Sequence, residues 1–441
     1  MTQALFPRHF RKTYPRAVRG DGCYILTADG RRVLDAAGSA AVVSIGHGRA
    51  EVAEAMAAQA RSLAFAHTSQ FLTEIAECLA RRLLALAPPP FRESGRVFFT
   101  SGGSEATETA LKLARQYHLE RGEPRRVRML ARRQSYHGST LGAMSVSANV
   151  ARRAPYLPLL QNWGHIAPCY CYRCPFDKTF PDCRLVCADD LELFIEQSGP
   201  DAVAAFLFEP LSGATLGAAE PPEGYVQRIA EICRRNGVLL IADEIMTGMG
   251  RTGANFAVDH WDVSPDIILV GKGVASGYAP LGAVIVAPHV AEAIAAGSGG
   301  FPHGFTYQAH PVSMAASHAV LDVLERENLF ARVATASAAL RQALEPLASS
   351  PVVGDIRGRG LLLAVEFVRD RKTRFPFPPS AGIAERISQI AYDHNVAVYP
   401  IQGCADGAAG DHVLLAPPFI IGDAEISQIA SALQAAVAQI A

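Results

Sequence analysis

No uninterrupted apolar run in this 441-residue chain reaches membrane-spanning length, so the sequence predicts no transmembrane helix. Its first residues, Met1 to Arg8, carry neither an apolar core nor a cleavage site, and no signal peptide is expected. Neither sign of charge dominates: 41 lysines and arginines stand against 42 aspartates and glutamates, a formal net charge of −1. With no positive excess in the net charge, neither nucleic acid nor a membrane is expected as a partner, although residues 1–20 are basic. The nine cysteines, an odd number in a long chain, do not make the pattern of a secreted disulfide framework. Free thiols in a reducing cytoplasm are expected instead. There is no internal repeat and no low-complexity linker. What is present is ordinary for a globular enzyme: 49% apolar residues, 19% charged residues, and length enough for a sizeable core and two domains.

The most informative stretch runs from Gly237 to Gly253. Val238 to Ala242 form a short apolar run of the kind a strand buried on both faces needs. Asp243 and Glu244 stand where it ends, and a glycine-rich turn follows. Open α/β sheets bind ligands beyond the carboxyl ends of their strands, which places Asp243 where it can meet one. The pattern recurs at Ile267 to Val270, which ends at Gly271-Lys272-Gly273. A lysine between glycines has the slim backbone that a Schiff-base nucleophile needs for a flat aldehyde to approach. Each motif alone also reads as a helix cap or a solvated turn. In this order, each ending an apolar strand, the acid and the lysine predict two groups facing one cavity.

Gly102, Gly103 and Ser104 lie between a candidate strand and a long helix. Backbone N–H groups, the helix dipole and the Ser104 hydroxyl make a phosphate cup there without a P-loop lysine. The same residues also read as a capped helix, with Glu105 and Glu108 favouring the dipole. Tyr136 follows the next candidate strand beside Gly138, where an aromatic ring can stack on a planar ligand. His137 reads as a satisfied core histidine or as a neighbour of that ligand. Ala202 to Phe208 is a buried strand ending at Glu209, a third carboxylate at a strand end. Thr306 offers a hydroxyl among aromatics. Cys171, Cys174, Cys183 and Cys187 have the spacing of a structural zinc site, or of a proline-punctuated loop with buried thiols. Elsewhere the pattern predicts irregular backbone over residues 1–20 and a hairpin from Gly22 to Asp35. Ala36 to Gly48 reads as a packed loop or a ligand-facing one. Helices are expected over 50–66, 73–87, 223–236 and 312–327, and an α+β unit from about residue 330 onward.

Together these residues resemble the class III aminotransferases, fold type I enzymes that use pyridoxal phosphate. The resemblance spans nearly the whole chain. Its motifs are Gly46-His47-Gly48, Ser101 to Ala106, Tyr136-His137-Gly138, Glu209-Pro210, Asp243-Glu244 with Gly248, Gly271-Lys272-Gly273, Thr306-Tyr307 and Pro417-Pro418, in the family's order. It implies an α/β fold with a mainly parallel central sheet in a large domain (60–325). A smaller α+β domain (326–441) is joined by the N-terminal segment (1–59). It implies that Lys272 holds the cofactor as a Schiff base and shuttles the proton, and that Asp243 pairs with the pyridinium nitrogen. Gly103 and Ser104 are then the phosphate holders, Tyr136 the stacking ring, and His137 and Glu209 part of the cofactor's surroundings. Thr306 reaches the neighbouring site of a homodimer. The implied reaction is ping-pong transfer of an amino group from an amine or ω-amino acid to a keto acid such as pyruvate. A lyase or aminomutase on the same fold uses the same lysine and acid, and a cofactor-binding protein without catalysis is a third reading.

The chain departs from the family where substrate carboxylates are held. Members acting on ornithine or 4-aminobutyrate often carry arginine directly after His-Gly; Ser139 stands here. Their gate glutamate is replaced by Ala214, and the strand before Pro417 reads Val413-Leu414-Leu415-Ala416, without arginine. No arginine occurs from Pro400 to Ala416 either. An arginine fork is the natural carboxylate partner. The departures imply an amine substrate without a fixed α-carboxylate, or a clamp from elsewhere. Arg357 and Arg359 are candidates, although the family usually has a structural arginine in that place.

Overall fold

Four apolar runs of the sequence become the middle of a seven-stranded sheet. The computed structural model describes residues 4–441; Met1 to Gln3, part of the segment read for a signal peptide, lie outside the described residues. The sheet contains β1 (Arg96–Thr100), β2 (Arg128–Arg132), β3 (Gly164–Ile166), β4 (Val203–Phe208), β5 (Leu239–Asp243), β6 (Ile267–Val270) and β7 (Gly282–Val286). Their spatial order is β3-β2-β4-β5-β6-β7-β1. β7 is antiparallel to both neighbours, and every other pairing is parallel.

Every residue of β4 to β7 is buried, which is why these segments read as continuous apolar runs rather than alternating ones. Alternate residues feed two cores. Phe206, Leu240, Ile268 and Ile285 face one side. Leu207, Ile241, Leu269 and Val284 face the other, where the helix α1 (Gly103–Glu120) lays Ala106, Ala110 and Leu113. Because β1 to β6 run in one direction, the turns at Gly102, Gln134, Glu209, Glu244 and Gly271 all leave one edge of the sheet.

Two four-stranded sheets accompany it. One joins Ala17–Asp21, Tyr24–Thr27 and Arg32–Asp35 to Val396–Ala397; the other joins Val353–Arg359, Leu362–Phe367, Asp411–Leu415 and Tyr399–Gln402. The hairpin expected from Gly22 to Asp35 is present. The irregular backbone expected up to residue 20 is present over residues 4–16, but Ala17–Asp21 is an edge strand paired with Tyr24–Thr27. Its residues are mostly exposed, so no apolar alternation marked it, and backbone pairing alone supplies its order. The expected helices appear as Ala50–Ser62, Glu74–Leu86, Tyr225–Arg235 and Pro311–Arg326. No described helix is long and apolar enough to cross a membrane.

Ala36 to Gly48 is a packed loop. The N–H groups of Ser44 and Ile45 donate to Ser276 Oγ at 2.8 and 3.1 Å. Gly38, Ser39, Ala40 and Ala41 form a left-handed turn, with φ between 50° and 70°. Asp35 holds it: Ser39 N and Oγ each donate to that carboxylate at 2.8 Å. Only glycine fits at position 38, because a Cβ there would lie 2.2 Å from the Ala416 carbonyl oxygen.

The cysteine-rich segment is pinned to the C-terminal sheet through one buried carboxylate. Arg173 Nε donates to Glu366 Oε1 at 2.7 Å, Arg357 Nη1 lies 2.7 Å from Oε2, and the Tyr170 hydroxyl also donates to Oε2. Burial alone raises the pKa of this carboxyl, but Arg357 and Arg173 outweigh it and hold Glu366 below the usual carboxylate range. Removing the acid leaves two guanidinium groups without their shared partner. Glu366→Ala is therefore expected to lose about 3–5 kcal/mol of stability. Urea unfolding of the variant checks this, and an unmoved midpoint contradicts it.

Candidate active site

Five chain segments meet around one cavity of about 190 Å³. Gly103 and Ser104 open α1, Tyr136 to Gly138 follow β2, Glu209 follows β4, Asp243 ends β5 and Lys272 follows β6. The residues singled out in the sequence for catalysis or cofactor binding all line this cavity, with one exception. Thr306 is exposed and lies outside it.

Asp243 is buried and held from two sides. His137 Nδ1 donates to its Oδ2 at 2.7 Å, and Ile245 N donates to Oδ1 at 3.1 Å. His137 is thus the partner of the acid rather than an idle core residue. Its backbone is fixed as well: its N–H donates to Ser147 Oγ, and its carbonyl accepts from Thr107 Oγ1, both at 2.7 Å. Its Nε2 is buried with no hydrogen-bond partner among the described residues. Glu209 accepts from Gly213 N at 3.1 Å, and burial raises its carboxyl above the usual range. Lys272 sits in the left-handed region at φ 44°. Desolvation pushes its amine down to about 8, against the opposing pull of Asp243 and Glu209.

The glycines around Lys272 answer to the protein itself. A Cβ on Gly271 would lie 3.2 Å from Ile245 Cγ2, and one on Gly273 3.3 Å from Met249 Cβ. Gly103, in the cup, would bring a Cβ within 2.5 Å of Ile245 Cδ1. The slim backbone expected as room for an aldehyde is therefore first of all room for Ile245 and Met249. Sequence reasoning passed over Ile245; its one signal was a branched apolar side chain two residues beyond the acid.

The first-turn N–H groups of α1 have no acceptors inside the helix and are available to an anion. Ser104 Oγ accepts from Ser139 N at 3.0 Å. An aromatic wall, an acid held by histidine, an amine of lowered basicity and a helix N-terminus fit a phosphorylated pyridine aldehyde. The unpartnered His137 Nε2 belongs to the same wall.

The positions where relatives hold carboxylates are otherwise engaged. Ser139 Oγ bonds the Tyr136 hydroxyl at 2.8 Å, and the Ala214 carbonyl accepts from His412 Nε2 at 2.8 Å. Arg357 is spent on Asp355, Glu366 and the Leu216 carbonyl, and Arg359 on Glu220. Both are structural. Of the four cysteines, Cys171 is exposed, Cys174 and Cys183 are half-buried and Cys187 is buried. Among the described residues no three His, Cys, Asp or Glu side chains are grouped to hold a metal.

The family described as aminotransferase class-III matches residues 6–437. An uncharacterized aminotransferase of Bacillus subtilis, YodT, is 39% identical over 441 residues, covering 100% of this chain and 98% of the relative. Among solved structures, an amine transaminase from an uncultivated Pseudomonas species in its PLP-bound form is 38% identical, with a TM-score of 0.92 and coverage of 100% and 99%. An (S)-enantioselective omega-transaminase from Thermomicrobium roseum is 36% identical, with a TM-score of 0.92 and coverage of 99% and 96%. The chain belongs to the class III aminotransferases. It is an enzyme of the fold type I architecture, and its cofactor is pyridoxal phosphate.

Two outcomes follow for Lys272. Lys272→Ala is expected to abolish the borohydride-trapped cofactor adduct, and a retained adduct contradicts the assignment. Only the neutral amine attacks an aldehyde, so cofactor uptake by the apoenzyme should rise as pH passes about 8 and then level off, rather than climbing toward the ordinary lysine value of 10.5. The rate of cofactor binding across pH measures this.

Proposed function

We propose that this aminotransferase takes amino groups from amines or ω-amino acids and passes them to a keto acid such as pyruvate, in the two half-reactions of a ping-pong cycle. The observation that carries this reading is the wall beside Lys272. At the two positions where relatives hold a carboxylate, just beyond the lining residues Gly138 and Gly213, stand Ser139 and Ala214, whose polar groups are already bonded within the protein. The named activities of the Pseudomonas and Thermomicrobium structures support the same reading.

When bound, pyridoxal phosphate supplies an aldehyde for the amine and a ring that accepts an electron pair. The chain's residues do the rest. Lys272 would hold the cofactor through Nζ and, once freed by the incoming amine, carry the transferred proton on that same Nζ. Asp243 keeps the pyridine nitrogen protonated, and His137 orients Asp243. The α1 amide groups, Gly103 and the Ser104 hydroxyl take the phosphate, Tyr136 covers the ring, and Glu209 positions the groups around it. Thr306, exposed in one chain, completes the phosphate site of a second copy, which makes the working unit a homodimer. The same reading divides each chain into a large domain (60–325) and a small one (326–441 with 1–59), supported by the parallel pairing of Arg32–Asp35 with Val396–Ala397. It places the enzyme in the cytoplasm, in keeping with its unpaired cysteines.

The visible absorption band of the purified enzyme should bleach with one class of amine donor and return on addition of pyruvate. Ammonia released without any keto acid would instead identify a lyase. Asp243→Asn should retain cofactor while losing turnover by about 100- to 1000-fold. Near-normal turnover of that variant removes the assigned role.

A further inference from the structure

The chain has a second and larger cavity, about 980 Å³, lined from the loop after β2, the cysteine-rich segment, residues 372–374 and residues 405–406. Gln134 lines it, two residues before the Tyr136 that walls the active site. Six cations face this cleft: Arg133, Arg153, Arg173, Lys178, Lys372 and Arg374. Its only carboxylates are Asp177 and Asp406. Arg173 is committed to Glu366, while the other five cations form no ion pair among the described residues. Asp406 Oδ1 accepts from Ala408 N and Ala409 N of its own loop at 2.8 and 2.7 Å.

Five unpaired cations against two carboxylates leave an excess of three positive charges in one cleft, on a chain whose net charge is −1. Like charges gathered this way repel; of the five, Arg374 also serves the fold, its Nη1 donating to the Tyr172 carbonyl. Arg153 shows the same imbalance in a single side chain: its Nε is buried without a hydrogen-bond partner among the described residues. Such a donor is costly unless something accepts from it. Arginine forks and lysine ammonium groups together are the usual surroundings of phosphate oxygens. A single carboxylate would offset one of the three charges. A phosphate ester carries about two negative charges, and adjoining phosphates carry more.

We propose that this cleft is an anion-binding site for a small molecule bearing a diphosphate or closely spaced phosphate groups, separate from the cofactor's phosphate cup. The six cations come from four separate stretches between positions 133 and 374, so no single stretch announces the site in the sequence.

The test uses dialysed holoenzyme carrying one cofactor per chain, so that the cup is filled, and titrates it with inorganic pyrophosphate by calorimetry. Saturable binding that weakens at least tenfold in the double variant Arg153→Gln, Lys372→Gln is the expected result. The double variant should keep its cofactor content and its far-ultraviolet circular dichroism. Glutarate, a dicarboxylate, should bind at least tenfold more weakly than pyrophosphate. The absence of saturable binding overturns the proposal, as does binding indifferent to the double substitution. Equal affinity for glutarate overturns the phosphate assignment. Pyrophosphate that displaces the cofactor's absorbance marks the cup as its site and overturns it as well.

Discussion

A buried carboxylate is costly unless its oxygens are satisfied, and the arrangement of this site follows from how Asp243 meets that demand. Asp243 ends β5, whereas its partner His137 follows β2, and β4 lies between the two strands. Two strand spacings are about 10 Å. A 2.7 Å bond across them requires the loop after β2 to fold over the end of β4, where Glu209 stands. That fold-over brings Tyr136 and Gly138 to the cavity and sets Ser139 against Ser104. One hydrogen bond thereby links the acid, the aromatic wall and the helix N-terminus.

The parts legible in the sequence were those governed by local pattern. β4, β5 and β6 are buried on both faces and so appear as unbroken apolar runs, and the acid and lysine stand directly at their ends. The glycine–serine turn before α1 was visible for the same reason. Features set by distant contacts were not visible. Ala17–Asp21 is exposed and has no apolar alternation to betray it. The identity of His137's partner depends on a residue 106 positions away. Cysteine spacing is one-dimensional information, whereas a zinc site needs convergence in space. In the folded chain that segment contributes Tyr170 and Arg173, which anchor on Glu366 nearly two hundred positions later.

Arginine in this chain is mainly a strut. Arg251 is buried without a carboxylate partner, and burial pushes its pKa down to about 9. It donates instead to the carbonyls of Leu361, Pro417 and Val43 at 3.1, 2.6 and 3.1 Å, binding three remote segments together. Arg357 and Arg359 do comparable work. A count of arginines thus says little about substrate recognition here. What matters is which guanidinium groups are free of ion pairs; among the described residues these include Arg133 and Arg153 in the cleft beyond Gln134 and Arg152, which stands 4.6 Å over the Tyr136 ring on the Lys272 side.

Ile245 touches the places where side chains would grow from both Gly103 and Gly271. Positions 103, 245 and 271, remote along the chain, share one small volume. A larger residue at either glycine requires the side chain at 245 to shift or shrink, and a smaller residue at 245 frees space beside both glycines. Variation among these three positions is therefore constrained as a set, and changes to the floor of this site are expected to come together rather than singly.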